Sequence, residues 1–441
     1  MTFLNTNLPT SWRVICSSMI GTILEWYEFS LFAFLSPMLA TYFFPKENAF
    51  TGLMMTYAIF AIGFFVRPLG AAWFGHYGDR AGRKQALVYS IVLMALSTFL
   101  IGLLPTYHDI GVAAPILLIV LRIAQGLSAG GESTGAILFV LEADHYKRRG
   151  FIGGLLWAVV GVGMLLGSFM AMLVTTHADC PWGWRVPFLL SIFTGFIGYF
   201  VRKRTPESLQ FQQALAEDGV MTFPLYEGFV HYKWQMLRIM GVYTLSAMIT
   251  YVIFIFMPTY AANVVGLPLS DVTITSTIAL ASVTFLVPLG GYVSDLMGQK
   301  KSLRYFAMGF FVLSYPLFML IAKGSLSHFR MADIVFVVLA AGFQGSINAF
   351  VVDQLPVNVR YSVMAVSYNM AYSLFGGTAP MIASLAVNLT GDKAAPGLYL
   401  MFGAMIALLS TKGLNTEASL RDGCGASSSG RTDLASSSDN T

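Results

Sequence analysis

Charge is what this sequence has least of. Asp, Glu, Lys and Arg make up 11% of its 441 residues, less than half of the roughly 25% found in soluble globular chains. So few charges cannot build a water-facing surface around a single core. A soluble enzyme, a disordered chain and a nucleic-acid-binding domain are therefore excluded. Cysteine is scarce as well. Cys16, Cys180 and Cys424 are odd in number and scattered, which leaves neither metal spacing nor a disulfide framework. No cleavable signal is expected, because residues 1–12 are short and polar and the apolar run behind them is too long for a signal segment. No P-loop occurs, so direct drive by ATP is not expected. What the chain has in quantity is apolar surface. AVILMFWYC account for 56% of it, with 42 glycines and 35 phenylalanines, a mixture suited to packed helices in lipid.

A helix needs about 20 apolar residues to cross the hydrocarbon core. Twelve such runs are read near 14–44, 50–74, 85–105, 113–139, 151–175, 186–201, 237–263, 271–294, 303–322, 332–352, 362–389 and 395–411. They are continuous, unlike the short alternating segments of a β-barrel. The fold class is an all-α polytopic membrane protein. With the N-terminus inside, 19 of the 26 lysines and arginines fall in inner segments and 5 in outer loops, a strong positive-inside bias. Both termini are expected in the cytoplasm. The polar stretch 202–236 separates six spans from six, giving bundles at 1–201 and 237–411. Residues 412–441, rich in Ser, Gly and Asp, are read as a disordered or non-native tail.

Two patterns repeat at about half the chain length. Gly75-x3-Asp79-Arg80-x-Gly82-Arg83-Lys84 returns as Gly291-x3-Asp295-x2-Gly298-x-Lys300, offset by 216 residues. Glu142 and Arg149 lie seven apart, as do Asp353 and Arg360. Two homologous six-helix halves are expected. The first pattern resembles the signature between spans two and three of the major facilitator superfamily. Gly21-x3-Glu25-Trp26-Tyr27-Glu28-Phe29, Arg67-Pro68-Leu69-Gly70, Arg122-x2-Gln125-Gly126-x3-Gly130-Gly131-Glu132 and Gly183-Trp184-Arg185-Val186-Pro187-Phe188 resemble its metabolite–proton symporter family. That family is bacterial and carries proline and betaine, or citrate, 2-oxoglutarate, dicarboxylates and shikimate, each with protons. The resemblance implies a multi-pass protein of the bacterial inner membrane. It also implies a cytoplasmic gate of exchangeable ion pairs at Gly75, Asp79, Arg80, Gly82, Arg83, Glu142, Arg149, Asp295, Asp353 and Arg360.

Ionisable groups inside spans are costly and are functional candidates by default. Here they are Glu25, Glu28, Arg67, Arg122 and Glu132, whereas all six histidines fall in or beside loops. A mid-membrane proton carrier must then be a carboxylate. At about 1.5 Å of rise per residue, Glu28 and Arg122 come to similar depths and are expected to pair, with Glu25 one turn away. Protonation of the carboxylate would release the arginine to hold an anionic group of the solute. Glu132 is read as a second proton site or an inner-gate partner, and Arg67 as structural, near the inner end of span two.

Arg122, Tyr27, Gln125, Trp157, Tyr251, Asn348 and Asn369 are the candidate solute contacts. One arginine among aromatics suits a zwitterion, because rings bind an ammonium group through cation–π contacts, whereas a citrate-like trianion should need several buried cations. The expected function is proton symport of a solute such as proline or betaine. The alternatives are symport of a mono- or dicarboxylate such as 2-oxoglutarate, proton antiport, and a non-transporting nutrient receptor. No cofactor, metal or nucleic-acid partner is expected. The proton is the coupling ion, the bilayer and a small solute are the partners, and the chain is expected to be monomeric.

Overall fold

A computed structural model describes residues 10–45, 49–71, 73–74, 83–130, 137, 141, 148–176, 182–203, 232–355 and 357–414. The described chain is helical throughout. Its spans are α1 (Thr10–Phe34, continued as Ser36–Phe43), α2 (Ala49–Phe65), α3 (Arg83–Leu103), α4 (Ala113–Ser128), α5 (Arg149–Thr176) and α6 (Arg185–Leu189 with Ser191–Lys203). The second half holds α7 (Lys233–Val265), α8 (Leu269–Met297), α9 (Gln299–Ile321), α10 (Leu326–Val352), α11 (Val357–Ala371, resuming at Ala379–Thr390) and α12 (Ala395–Lys412). Among the described residues eight helices are long and apolar enough to cross a bilayer, and three shorter apolar helices lie at Val88–Leu103, Ala113–Ser128 and Arg185–Val201. With the broken first helix they match the twelve runs read from hydropathy.

The two halves pair their helices alike. α1 packs on α5, α2 on α4, and α3 on α4 and α6; correspondingly α7 packs on α11, α8 on α10, and α9 on α10 and α12. This is the repeat expressed in three dimensions. At the second copy of the repeated loop, Gly298 takes φ of +89°, a conformation that only glycine enters at little cost, and joins α8 to α9 in a single-residue turn.

Between the halves, α5 is the main contact, lying against α8 and α10. It also lies against α1 within its own half. Small residues permit that closeness: a Cβ on Gly163 would stand 2.5 Å from the Ile23 carbonyl oxygen. α7 and α11 are not regular. α7 passes into wide π-type turns at Ile249–Phe256 and Ala261–Val265, and α11 does so at Tyr372–Gly376. Pro258 and Pro380 stand at these interruptions. Pro288 and Pro316 instead lie within continuous helices.

Candidate functional site

The charged core of the first half is built on α1. Glu28 is 2% exposed. One of its carboxylate oxygens lies 3.0 Å from the Thr98 hydroxyl of α3, and the other meets the Thr194 hydroxyl of α6. Arg122 of α4 is fully buried. It donates to Gln125 Oε1 at 2.9 Å, and its guanidinium lies 4.0–4.9 Å from the rings of Phe29, Phe32 and Phe60. Cation–π contacts of about 0.5–2 kcal/mol each offset part of the cost of burying it. The expected direct pair of Glu28 with Arg122 is not formed. Phe29 and Phe32 occupy the α1 face turned to Arg122, and Glu28 looks instead toward α3 and α6.

Arg67 also departs from expectation. It is 1% exposed, 3.8 Å from Glu25 and 4.2–5.6 Å from the rings of Phe29, Phe64 and Trp26. The ion pair on α1 therefore joins Glu25 to Arg67. Phe29 lies within 4.2 Å of both guanidinium groups.

Between the halves is a small cavity. Trp157 of α5 and Tyr243, Tyr368 and Tyr372 of α7 and α11 line it, with Ser246, Asn348, Thr22 and apolar side chains. Among the described residues no charged one is in that lining. The tyrosines form one cluster: Tyr368 stacks on Tyr372 at 4.2 Å, and Tyr243 meets Tyr368 edge-on at 5.2 Å. The Tyr243 hydroxyl has no hydrogen-bond partner among the described residues. α5 and α8 touch on both sides of this level, through Gly150 and Gly291 toward one end and a 2.7 Å Ser168–Thr277 hydroxyl contact toward the other.

Of the seven solute candidates, Trp157 and Asn348 line the cavity. Tyr27 does not, because its hydroxyl donates to the Pro187 carbonyl at 3.1 Å, away from the bundle interface. Tyr251 is packed among Phe60, Phe64 and Tyr372. Gln125 and Arg122 are enclosed within the first half. Two asparagines cross between the halves: Asn348 Nδ2 donates to the Gly153 carbonyl at 3.0 Å, and Asn369 Nδ2 to the Gly130 carbonyl at 3.3 Å. Tyr368 and Tyr372 were not singled out from sequence, where lipid-facing and cavity-facing tyrosines look alike. Asp333 of α10 also escaped notice. It is 3% exposed and its Oδ2 has no hydrogen-bond partner among the described residues.

At the lysine- and arginine-rich end, Asp295 accepts the backbone N–H groups of Gly150 at 2.7 Å and Phe151 at 2.9 Å. A carboxylate on the first turn of α5 satisfies orphan donors and complements the helix dipole. Arg149 forms an ion pair with Asp353 at the end of α10. Both links run from the first half to the second. A Cβ on Gly150 would stand 2.4 Å from the Gly291 carbonyl oxygen, so glycine is required for the backbones to come this close. Gly75, Asp79, Arg80, Gly82, Glu132 and Glu142, and the side chains of Arg83 and Arg360, lie outside the described residues.

The Major Facilitator Superfamily profile matches residues 18–380. The glycine betaine/proline/ectoine/pipecolic acid transporter OusA of Dickeya dadantii is 31% identical over 412 residues, spanning 90% of this chain and 82% of that protein. The proline/betaine transporter of Escherichia coli K12 is 30% identical over 412 residues, with the same shares of each. Among solved structures, a D-xylose–proton symporter superposes with a TM-score of 0.70 at 18% identity, covering 92% of this chain and 98% of that one. That likeness is one of fold.

Proposed function

Because the chain belongs to the major facilitator superfamily, we propose that it carries a small zwitterion such as proline or betaine across the membrane, together with protons, by alternating access. It is a multi-pass membrane transporter and not an enzyme. The observation that carries the choice of solute is the cavity lining. Among the described residues, four aromatic rings and no lysine or arginine line it. A solute with several negative charges would meet no cation there, whereas an ammonium group meets ring faces and a single carboxylate meets the unpartnered Tyr243 hydroxyl. The names of the two relatives support the same class.

In this reading the proton is the coupling ion, and Glu28 is its carrier, with Glu25 and Glu132 as further sites. Residues 1–201 and 237–411 are the two moving bundles, 202–236 is their linker, and the lysine- and arginine-rich end faces the cytoplasm of a bacterium. Asp295, Arg149 and Asp353 shut that end. The repeat places Asp79, Glu142 and Arg360 in the equivalent roles, with Gly75, Arg80, Gly82 and Arg83 shaping the first loop.

The test is uptake by proteoliposomes under an imposed pH gradient, inside alkaline. Labelled proline or glycine betaine should accumulate and compete with each other, and citrate should compete weakly. Strong competition by citrate with none from proline would overturn the zwitterion reading. Accumulation indifferent to the pH gradient would overturn proton symport.

A further inference from the structure

Glu28 and Arg122 do not touch, yet a run of hydrogen bonds joins them. Arg122 Nη1 donates to Gln125 Oε1 at 2.9 Å, Gln125 Nε2 donates to Thr98 Oγ1 at 2.7 Å, and Thr98 Oγ1 lies 3.0 Å from Glu28 Oε2. All four side chains are buried. The direction of each bond follows from its chemistry. A guanidinium only donates, and an amide accepts at oxygen and donates at nitrogen. Thr98 therefore receives the Gln125 bond and has one proton of its own to give. Two acceptors compete for that proton: Glu28 Oε2 at 3.0 Å, and the Met94 carbonyl one turn back at 2.9 Å. The other carboxylate oxygen is in the same position. It faces Thr194, whose hydroxyl also lies 2.8 Å from the Ser191 carbonyl.

We propose that Gln125 and Thr98 are the link by which the charge state of Glu28 reaches Arg122, with the Thr98 hydroxyl reversing direction at each protonation. The proposal rests on the proton-symport reading above. With Glu28 ionised, Thr98 donates to the carboxylate. Every bond from guanidinium to carboxylate then points the same way, and each polarises the next. When a proton binds Glu28 Oε2, the carboxyl O–H donates to Thr98 Oγ1, and the threonine turns its own proton to Met94. One proton has entered, no covalent bond of the protein has broken, and no hydrogen bond has been lost. The run no longer ends on a negative charge, because two donors now converge on one hydroxyl. Arg122 is left with an uncompensated charge, and its Nε and Nη2 have no hydrogen-bond partner among the described residues. Its pull on any nearby negative charge rises accordingly. Gln125 and Thr98 are positioning residues, since neither touches the solute.

The experiment compares Thr98→Val, which keeps the shape and removes the hydroxyl, with Thr98→Ser, which keeps the hydroxyl. Proton-driven accumulation and exchange of internal for external labelled proline are both measured in proteoliposomes at matched protein levels, with Glu28→Gln alongside. Thr98→Val should keep exchange within about twofold and lose accumulation by about tenfold or more, the scale of leaving buried partners unsatisfied. Thr98→Ser should restore accumulation. Wild-type accumulation by Thr98→Val, with Glu28→Gln impaired, would overturn the link and leave proton symport standing. Wild-type accumulation by Glu28→Gln would overturn the symport reading and the link with it. Loss of exchange and accumulation together in Thr98→Val, unrestored by serine, would assign Thr98 to packing and overturn the link.

Discussion

Replacing Asp295 by alanine should open one end of the protein. Its carboxylate accepts two backbone N–H bonds at 2.7 and 2.9 Å from the first turn of α5. The donors belong to the first half and the acceptor to the second, so both bonds exist only while that end is shut. Removing a side-chain cap costs about 0.5–2 kcal/mol. If the cost falls on the closed state alone, the balance between closed and open shifts by about 2- to 30-fold. Asp295→Asn keeps one carbonyl acceptor and should shift it less. The assay places a cysteine at Met19, which lines the cavity, in a background without Cys16, Cys180 and Cys424. An impermeant maleimide is added to sealed inside-out vesicles. The modification rate should rise by the same factor in Asp295→Ala, and by a smaller one in Asp295→Asn. An unchanged rate in well-folded Asp295→Ala protein would refute the reasoning, since the two bonds would then contribute nothing to closure.

Tyr243→Phe removes a buried hydroxyl that has no hydrogen-bond partner among the described residues. Apparent affinity for proline should fall about tenfold, because a hydrogen bond to a charged group is lost, while the yield of folded protein is unchanged; unchanged affinity would place the solute carboxylate elsewhere. In the loop between α3 and α4, Asp109 caps the turn at Thr106 with two 2.8 Å bonds, and these bonds hold its carboxyl below the ordinary carboxylate range. A depressed value means the bonds are fully present at neutral pH and are lost as pH falls through the ordinary range and then the depressed one. Protection of the Thr106 amide from hydrogen exchange should fall on acidification and be absent in Asp109→Ala.

The spans were legible because crossing lipid demands length and apolarity, which any window of sequence displays. The halves were legible because loop motifs repeat without regard to packing. Side-chain partners were less so. Depth along a helix follows from counting residues, and Glu28 and Arg122 were assigned similar depths. Azimuth does not follow from counting, because each residue turns the chain by about 100°. Trp26, Tyr27, Glu28 and Phe29 are adjacent in sequence, yet Trp26 meets Tyr372, Tyr27 meets Pro187, Glu28 meets α3 and α6, and Phe29 lies against two arginines. Arg67 was read as a structural residue near the inner end of span two; it lies in the helical stretch Phe50–Ala71, and its partner there is Glu25. Asp333 drew no attention because it sits eight residues into α10, near the loop, where a charge is unremarkable in sequence.

The asparagine bonds across the bundles have a lopsided ancestry. Gly130 and Asn348, like Gly153 and Asn369, stand within two residues of the 216-residue repeat from one another. The two bonds are thus mirror copies of one ancestral contact, Asn348 to Gly153 and Asn369 to Gly130. In each, the second half supplies a side-chain amide and the first half a main-chain oxygen. Every amino acid carries that oxygen, so no codon change in the first half deletes an acceptor outright. A single base change at either asparagine codon removes a donor. The clasp therefore rests on two side chains of the second half, while Gly130 is held by packing alone, since a Cβ there would stand 2.2 Å from the Arg67 carbonyl oxygen.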